Sequence, residues 1–353
     1  MSKYWNERIH KLEPYVPGEQ PKDKRYIKLN TNENPYPPSP KVLAAIQDAV
    51  NERLRLYPDP GADELRAALA AYNDLSSEHI FVGNGSDEVL AFSFMTFFSP
   101  DRPVMFADIT YSFYKVYANL CSLKANVIPL DDAFNIPVKA FLKPSGGVVI
   151  PNPNAPTGQG LSVELVREII EADPDRVVII DEAYVNFGGK SVVPLIRDYP
   201  NLLVVQTLSK FGALAGIRVG FALGNPELIQ GLNRLKNSIN SYTIDRLALA
   251  GAKAAIEDYD YSSQMADRVI RTRERTINKL KEMGFSVIPS EANFIFITHQ
   301  KYDAESIFHN LRDKGILVRY FNQPRISNYL RVSIGTDEEM KQFIQTMGEL
   351  IRK

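Results

Sequence analysis

An α/β fold with a mainly parallel sheet, followed by a smaller α/β unit, is what this sequence predicts. Three observations carry the prediction. Short apolar runs recur near residues 80, 104, 148, 178 and 203, separated by segments with helical spacing, as parallel strands joined by crossover helices require. The run Val177-Val178-Ile179-Ile180 has no polar face, which fits a strand covered on both sides. Finally, 353 residues exceed what a single core usually holds, and the chain past residue 259 has strands and helices of its own.

The elements follow in order. Residues 1–25 are polar and punctuated by Pro14, Pro17 and Pro21, and read as a short helix and an extended arm. The loop Asn30-Thr31-Asn32-Glu33-Asn34-Pro35 comes next, a candidate wall of a substrate site that places Asn32 among the binding candidates. Apolar spacing predicts a helix from Pro40 to Leu54, the Pro/Gly cluster Tyr57-Pro58-Asp59-Pro60-Gly61 predicts a turn, and Asp63 opens a second helix. Strands are predicted at 80–82, 104–107, near 125–129, at 147–150, 177–180 and 203–207, with helical chain from Asn225 to about Ala255. A long basic helix containing Arg268, Arg271, Arg273 and Arg275 then presents a solvated face. Strands at 285–289, 294–297, 316–319 and 329–334 and helices at 304–314 and 338–352 complete the chain. The expected organisation is an arm (1–27) packing with the small domain, a large domain (28–258) and a small C-terminal domain (259–353).

Composition narrows the function. Acidic and basic residues nearly cancel to a formal charge of −1, so no basic footprint points to nucleic acid or an anionic membrane. No apolar run has the length of a bilayer span and the N-terminus lacks an apolar signal core, so the expectation is a cytoplasmic protein acting on small molecules. The single cysteine, Cys121, excludes an internal disulfide. The four histidines lie apart and have no cysteine partners, so no metal is predicted.

The candidate chemistry gathers where strands end. The run Leu203-Val204-Val205 ends in Thr207-Leu208-Ser209-Lys210. Desolvation at a strand end disfavours the charged lysine and frees its amine as a nucleophile for an aldehyde. Thr207, Ser209 and Arg218 bring two hydroxyls and a guanidinium suited to holding a phosphate beside it. Gly85-Ser86-Asp87 opens a helix after a short strand, a ready anion site. Asp181 closes its own strand, and a buried carboxylate needs donors or a cation such as a protonated ring nitrogen. Tyr111 can stack on a planar ring or pack in the core. Ligands of open α/β sheets bind at the strands' carboxyl edge, which makes these residues one candidate site.

Together, Leu29-Asn30-Thr31-Asn32-Glu33-Asn34-Pro35, Tyr57-Pro58-Asp59-Pro60, Gly85-Ser86-Asp87-Glu88, Asn154-Ala155-Pro156-Thr157-Gly158, Asp181-Glu182-Ala183-Tyr184, Thr207-Leu208-Ser209-Lys210, Arg218-Val219-Gly220 and Leu330-Arg331-Val332-Ser333 resemble the motifs of the fold type I pyridoxal-phosphate aminotransferases, most closely the histidinol-phosphate aminotransferases. The resemblance runs from about Lys28 to the C-terminus. It implies a pyridoxal 5′-phosphate cofactor joined to Lys210, Asp181 pairing with the ring N–H, and Tyr184 donating to the ring oxygen. Tyr111 would stack on the ring, while Gly85, Ser86, Asp87, Thr207, Ser209 and Arg218 hold the phosphate. Tyr57 would reach the phosphate of a neighbouring subunit, which implies a homodimer with shared sites. Relatives commonly carry asparagine where this chain has Ala155, so the resemblance assigns the ring oxygen to Asn154 one position earlier. Arg331 would clamp a substrate carboxylate, with Arg319 or Arg325 supplying further positive charge. The implied substrates are histidinol phosphate and 2-oxoglutarate or glutamate. An aromatic amino-acid aminotransferase and a threonine-phosphate decarboxylase share these motifs. A nicotinamide-dependent oxidoreductase is disfavoured, because the glycine turn lacks the Gly-x-Gly-x-x-Gly spacing.

Overall fold

Apolar strands with no polar face must be covered twice, and in the computed structural model, which describes residues 2–351, helices lie on both sides of them. The strands of the main sheet are β2 (Ile80–Gly83), β3 (Val104–Ala107), β4 (Ala125–Ile128), β5 (Gly147–Pro151), β6 (Val178–Asp181), β7 (Leu202–Thr207) and β8 (Gly220–Gly224), after a two-residue β1 (Ile27–Lys28). Their order across the sheet is β2-β8-β7-β6-β5-β3-β4. All pairings are parallel except those of β8, which runs against both β7 and β2. The segment 208–219 between β7 and β8 forms no crossover helix, only a tight turn of helix at Ala215–Ile217, and the chain turns straight back.

Alternate residues of a strand face opposite ways, and here each face has its own core. Val148, Ile150, Val178, Ile180 and Val204 pack with Leu65, Leu69, Val166 and Ala252. Val149, Ile179, Leu203 and Val205 pack with Leu90, Phe94, Tyr114 and Leu232 on the other side. Apart from the reversed β8, the strands of this sheet thus end at the same edge, with the polar residues that follow them clear of both cores.

Beyond the helix Tyr259–Glu282, β9 (Ser286–Ile288), β10 (Phe294–Thr298), β12 (Arg319–Tyr320) and β13 (Leu330–Ser333) form an antiparallel sheet in the order β12-β13-β10-β9. The helices Ala304–Asp313 and Asp337–Ile351 pack with it around Phe285, Ile295, Leu311 and Phe343.

Four details differ from expectation. The strand predicted at 316–319 is two: β11 (Ile316–Leu317) pairs in parallel with β1, and Arg319 begins β12 in the other sheet. The helix predicted from Pro40 to Leu54 stops at Ala49, where Asn51 accepts from the Arg53 N–H at 3.0 Å and starts a single turn of tighter helix. Val50 and Leu54, 59% and 52% exposed, have no core to hold the stripe straight. The helical stretch 225–255 is broken at 240–245, and the Asp245 carboxylate caps the second helix. Arg273 leaves the solvated face predicted for it, being buried and donating to the carbonyls of Phe187 and Ala292 at 2.7 and 2.8 Å. The closing helix follows its expected course through Ile351, and Arg352 lies outside the described residues.

Candidate active site

The strand edge opens into a cavity of about 170 Å³ lined by residues from the N-terminal arm, the loops after the strands and the two larger sheets. Lys210 follows β7 by three residues, and its Nζ donates to the Thr31 carbonyl at 3.1 Å. Burial pulls its pKa from 10.5 to about 8, and the positive Arg331 acts in the same direction. An amine so placed is a nucleophile and a proton carrier near neutral pH.

Asp181 ends β6 and is 4% exposed. Its Oδ1 accepts from the Ala183 N–H at 3.1 Å and its Oδ2 from the Tyr114 hydroxyl at 2.8 Å. Burial raises its pKa from 3.8 to about 6, against those two donors and with the nearby Asp87 adding to the rise. Glu182 points elsewhere, accepting from the Ser191 hydroxyl, the Val192 N–H and the Gln206 amide at 2.7, 2.7 and 2.8 Å. It braces the loop after β6.

The same cavity holds an anion cup. Gly85, at φ +82°, turns the chain from β2 into the helix Gly85–Phe97, whose first N–H groups lack helical partners. Arg218, itself left-handed at φ +55°, donates to the Ser209 hydroxyl at 3.3 Å and the Asp87 carboxylate at 3.0 Å. Thr207 donates to Ser209 at 3.0 Å, and Tyr111 donates to Asp87 at 2.7 Å. The cup is tightly built: a Cβ at Gly220 would stand 2.2 Å from the Ser86 nitrogen.

A third group closes the front. The Asn32 amide donates to the Tyr184 hydroxyl at 3.1 Å, its carbonyl oxygen accepts from the Ser333 hydroxyl at 2.8 Å, and the Asn293 amide donates to its backbone carbonyl at 2.9 Å. Asn32 is held at φ +56°, a left-handed conformation that asparagine tolerates better than most residues. Arg331 donates to the Asn30 carbonyl at 2.9 Å, while its buried Nε has no partner among the described residues. Arg319 reaches the carbonyls of Val16 and Pro17, which brings Tyr15 and Gly18 to the cavity wall.

Of the residues singled out from sequence, Asn32, Ser86, Asp87, Tyr111, Asp181, Tyr184, Thr207, Ser209, Lys210, Arg218, Arg319 and Arg331 line this cavity. Gly85 lies just behind it. Asn154 is buried and turned into its own loop, donating to the Ile109 carbonyl and the Thr157 hydroxyl and accepting from the Thr110 hydroxyl, all at 3.0 Å. Arg325 is paired with Asp108 at 2.9 Å and does not line the cavity. Tyr57 is 77% exposed, away from the cavity, and stacks on Tyr242 at 4.5 Å between centroids. Sequence reading missed Tyr15, Tyr114, Asn293 and Ser333. Only Ser333 carried a signal, as part of the Leu-Arg-Val-Ser stretch.

These residues fit a molecule with a cationic ring nitrogen, an aldehyde and a phosphate. Among the described residues the buried Asp181 has donors but no cationic partner, the Lys210 amine lines the same cavity, and the cup offers a guanidinium and helix N–H groups.

The electrostatics give a sign-specific expectation for the cofactor-free chain. Asp181 takes up its proton at about pH 6 when folded and near 3.8 when unfolded. Its favourable contribution is therefore complete below pH 3.8 and is lost as pH rises to about 6. The melting temperature of an Asp181→Asn variant, measured against that of the parent chain, should gain across this window and level off above it. A difference that does not change with pH contradicts the assignment.

The comparisons with known proteins agree with this geometry. Residues 24–347 match the family described as aminotransferase class I and II. The histidinol-phosphate aminotransferase of Clostridium acetobutylicum is 60% identical over 99% of this chain and 100% of its own length, and that of Clostridium beijerinckii is 57% identical over 98% and 97%. Among solved structures, histidinol-phosphate aminotransferase from Sinorhizobium meliloti in complex with pyridoxal-5′-phosphate superposes with a TM-score of 0.90, at 26% identity and covering 100% of this chain and 98% of that one. The cofactor is pyridoxal 5′-phosphate. The chain belongs to the class I and II aminotransferase family and groups, within it, with the histidinol-phosphate aminotransferases.

Proposed function

We propose that the chain transfers an amino group between L-histidinol phosphate and 2-oxoglutarate, giving imidazole acetol phosphate and glutamate or running in reverse, as a step of histidine biosynthesis. The observation that carries the reading is a single cavity lined by a lysine of depressed pKa, a buried carboxylate, an anion cup and the two arginines Arg319 and Arg331, in a chain whose full-length relatives bear that name.

Bound pyridoxal phosphate supplies an electron sink for the broken Cα–H bond of the substrate. The residues of this chain do the rest. Asp181 is the carboxylate that pairs with the ring N–H and keeps it protonated. Ser86, Asp87, Thr207, Ser209 and Arg218 anchor the phosphate. Lys210 Nζ would be the base that takes the proton from the substrate Cα and the acid that returns one. Tyr184, oriented by Asn32, donates to the ring oxygen, and Tyr111 covers the ring. One site serves both half-reactions, so Arg331 holds the carboxylate of glutamate, whereas histidinol phosphate presents only a phosphate.

That asymmetry is testable. Arg331→Gln should lower kcat/KM for 2-oxoglutarate by roughly 10²-fold, the loss of a charged bidentate contact, and lower that for histidinol phosphate less. Equal losses would remove the carboxylate assignment.

The working form is a cytoplasmic homodimer, its subunits divided into an arm (1–27), a large domain (28–258) and a small domain (259–353). The exposed Tyr57, with Leu43, Val50, Leu54 and Leu56 also exposed on nearby chain, supports a second copy on this face. Tyr57 then reaches the neighbour's phosphate. Among the described residues no helix is long and apolar enough to cross a membrane.

The direct test is amino transfer to 2-oxoglutarate from histidinol phosphate, phenylalanine and tyrosine in turn, with carbon dioxide release followed in parallel. Histidinol phosphate should have the highest kcat/KM. Preference for an aromatic amino acid, or release of carbon dioxide, overturns the substrate assignment. Full activity in a sedimenting monomer overturns the shared site.

A further inference from the structure

Among the described residues Asp181 is held by two donors, and one of them is a side chain with no other hydrogen bond. Tyr114 is 0% exposed. It sits in the first turn of the helix Phe113–Leu120, packed edge-on against Tyr111 and near Phe94 and Phe106. Its hydroxyl donates to Asp181 Oδ2 at 2.8 Å. An aromatic this deep in an apolar cluster packs as well without its oxygen, so the hydroxyl itself calls for a reason.

The surroundings supply one. The other ionisable groups that face Asp181 are Asp87, Glu182, Tyr117 and Tyr184, all anionic or neutral. The Ala183 N–H fixes Oδ1 from the strand end. Without Tyr114, Oδ2 would have no donor, the Ala183 N–H alone would orient the carboxylate, and the group would hold its proton to higher pH.

We propose that Tyr114 is a positioning residue for cofactor capture: its hydroxyl fixes the orientation of the Asp181 carboxylate and keeps it ionised, so that it can receive the protonated ring nitrogen of pyridoxal phosphate. The idea rests on the reading of Asp181 given above. The helix Phe113–Leu120 and its approach reinforce it, because Tyr111 and Tyr117 donate to the Asp87 carboxylate and carbonyl at 2.7 and 3.0 Å. One short stretch of chain thus ties the ring carboxylate to the phosphate cup.

The test is the affinity of the full-length cofactor-free chain for pyridoxal phosphate, measured by equilibrium dialysis from acid to mildly alkaline pH, for the parent and for Tyr114→Phe. The ionisations of the cofactor and of Lys210 are common to both proteins and drop out of the ratio of affinities. Loss of a hydrogen bond to an anion moves its pKa by about one unit. The ratio of parent to variant should therefore rise about tenfold as the pH falls through the range in which Asp181 takes up its proton. In an Asp181→Asn background the same tyrosine change should produce no pH-dependent ratio. Tyr117→Phe, which removes a hydroxyl that donates to the Asp87 carbonyl and not to Asp181, should weaken binding by a factor independent of pH. A flat ratio for Tyr114→Phe, whether from no loss or from uniform weakening by damaged packing, overturns the proposal, as does a pH-dependent ratio that survives in the Asp181→Asn background. A parent chain that binds no pyridoxal phosphate overturns both this proposal and the functional reading beneath it.

Discussion

Replacing Lys210 by alanine should reduce turnover by at least ~10⁴-fold, the upper end of what a positioned proton-transfer group contributes, while leaving the fold intact. The fold survives because, among the described residues, the amine makes a single hydrogen bond, to the Thr31 carbonyl, and burial already works against its charge. Removing a partly desolvated cation costs the native state little. Pyridoxal phosphate should still bind the variant through the cup and Asp181, but without covalent attachment, so that gel filtration strips it. An added primary amine should recover part of the lost rate by serving as the proton carrier. The combination of retained thermal unfolding, strippable cofactor and amine rescue distinguishes loss of the proton carrier from loss of the site. A Lys210→Ala protein that still turns over at a tenth of the parent rate or better refutes the assignment.

Asp181→Asn should cost about 10³-fold in turnover, in the range found when a preorganised group facing developing charge is removed. The amide cannot hold a proton on the ring nitrogen, and the electron sink weakens. The change is nearly isosteric and relieves a buried carboxylate whose pKa is already raised to about 6, so the variant should unfold at the same temperature as the parent chain or higher at neutral pH. Lower activity with higher stability is the expected signature of a group kept for chemistry against the preference of the fold. If Asp181→Asn loses stability and activity together, Asp181 is a structural residue and the ring assignment fails.

The strand-end residues were legible in the sequence because an apolar strand announces its own end. Asp181, Lys210 and Gly85 each follow a run of Val, Ile, Leu or Phe, and an open α/β sheet gathers such ends at one edge. Contacts made across the fold left no such mark. Tyr114 lies at helical spacing among aromatics, and nothing local separates a tyrosine that donates to a carboxylate from one that merely packs. Arg273 stands among exposed arginines, yet only its register turns it toward the carbonyls of Phe187 and Ala292. The pairing of β1 with β11 joins two-residue strands 289 positions apart, which periodicity cannot find. Asn154 illustrates the opposite failure. Its motif suggested a ligand-facing amide, whereas its polar atoms are spent on Ile109, Thr157 and Thr110.

The half-reaction tests the central claim most directly. The purified chain is loaded with pyridoxal phosphate, and its absorption spectrum is recorded before and after L-histidinol phosphate is added without 2-oxoglutarate. The account predicts that the visible band of the lysine-bound cofactor disappears at low substrate concentration, that the amine form replaces it, and that 2-oxoglutarate alone restores the original spectrum. A chain that develops no visible band on loading, or whose band responds to phenylalanine and not to histidinol phosphate, contradicts it.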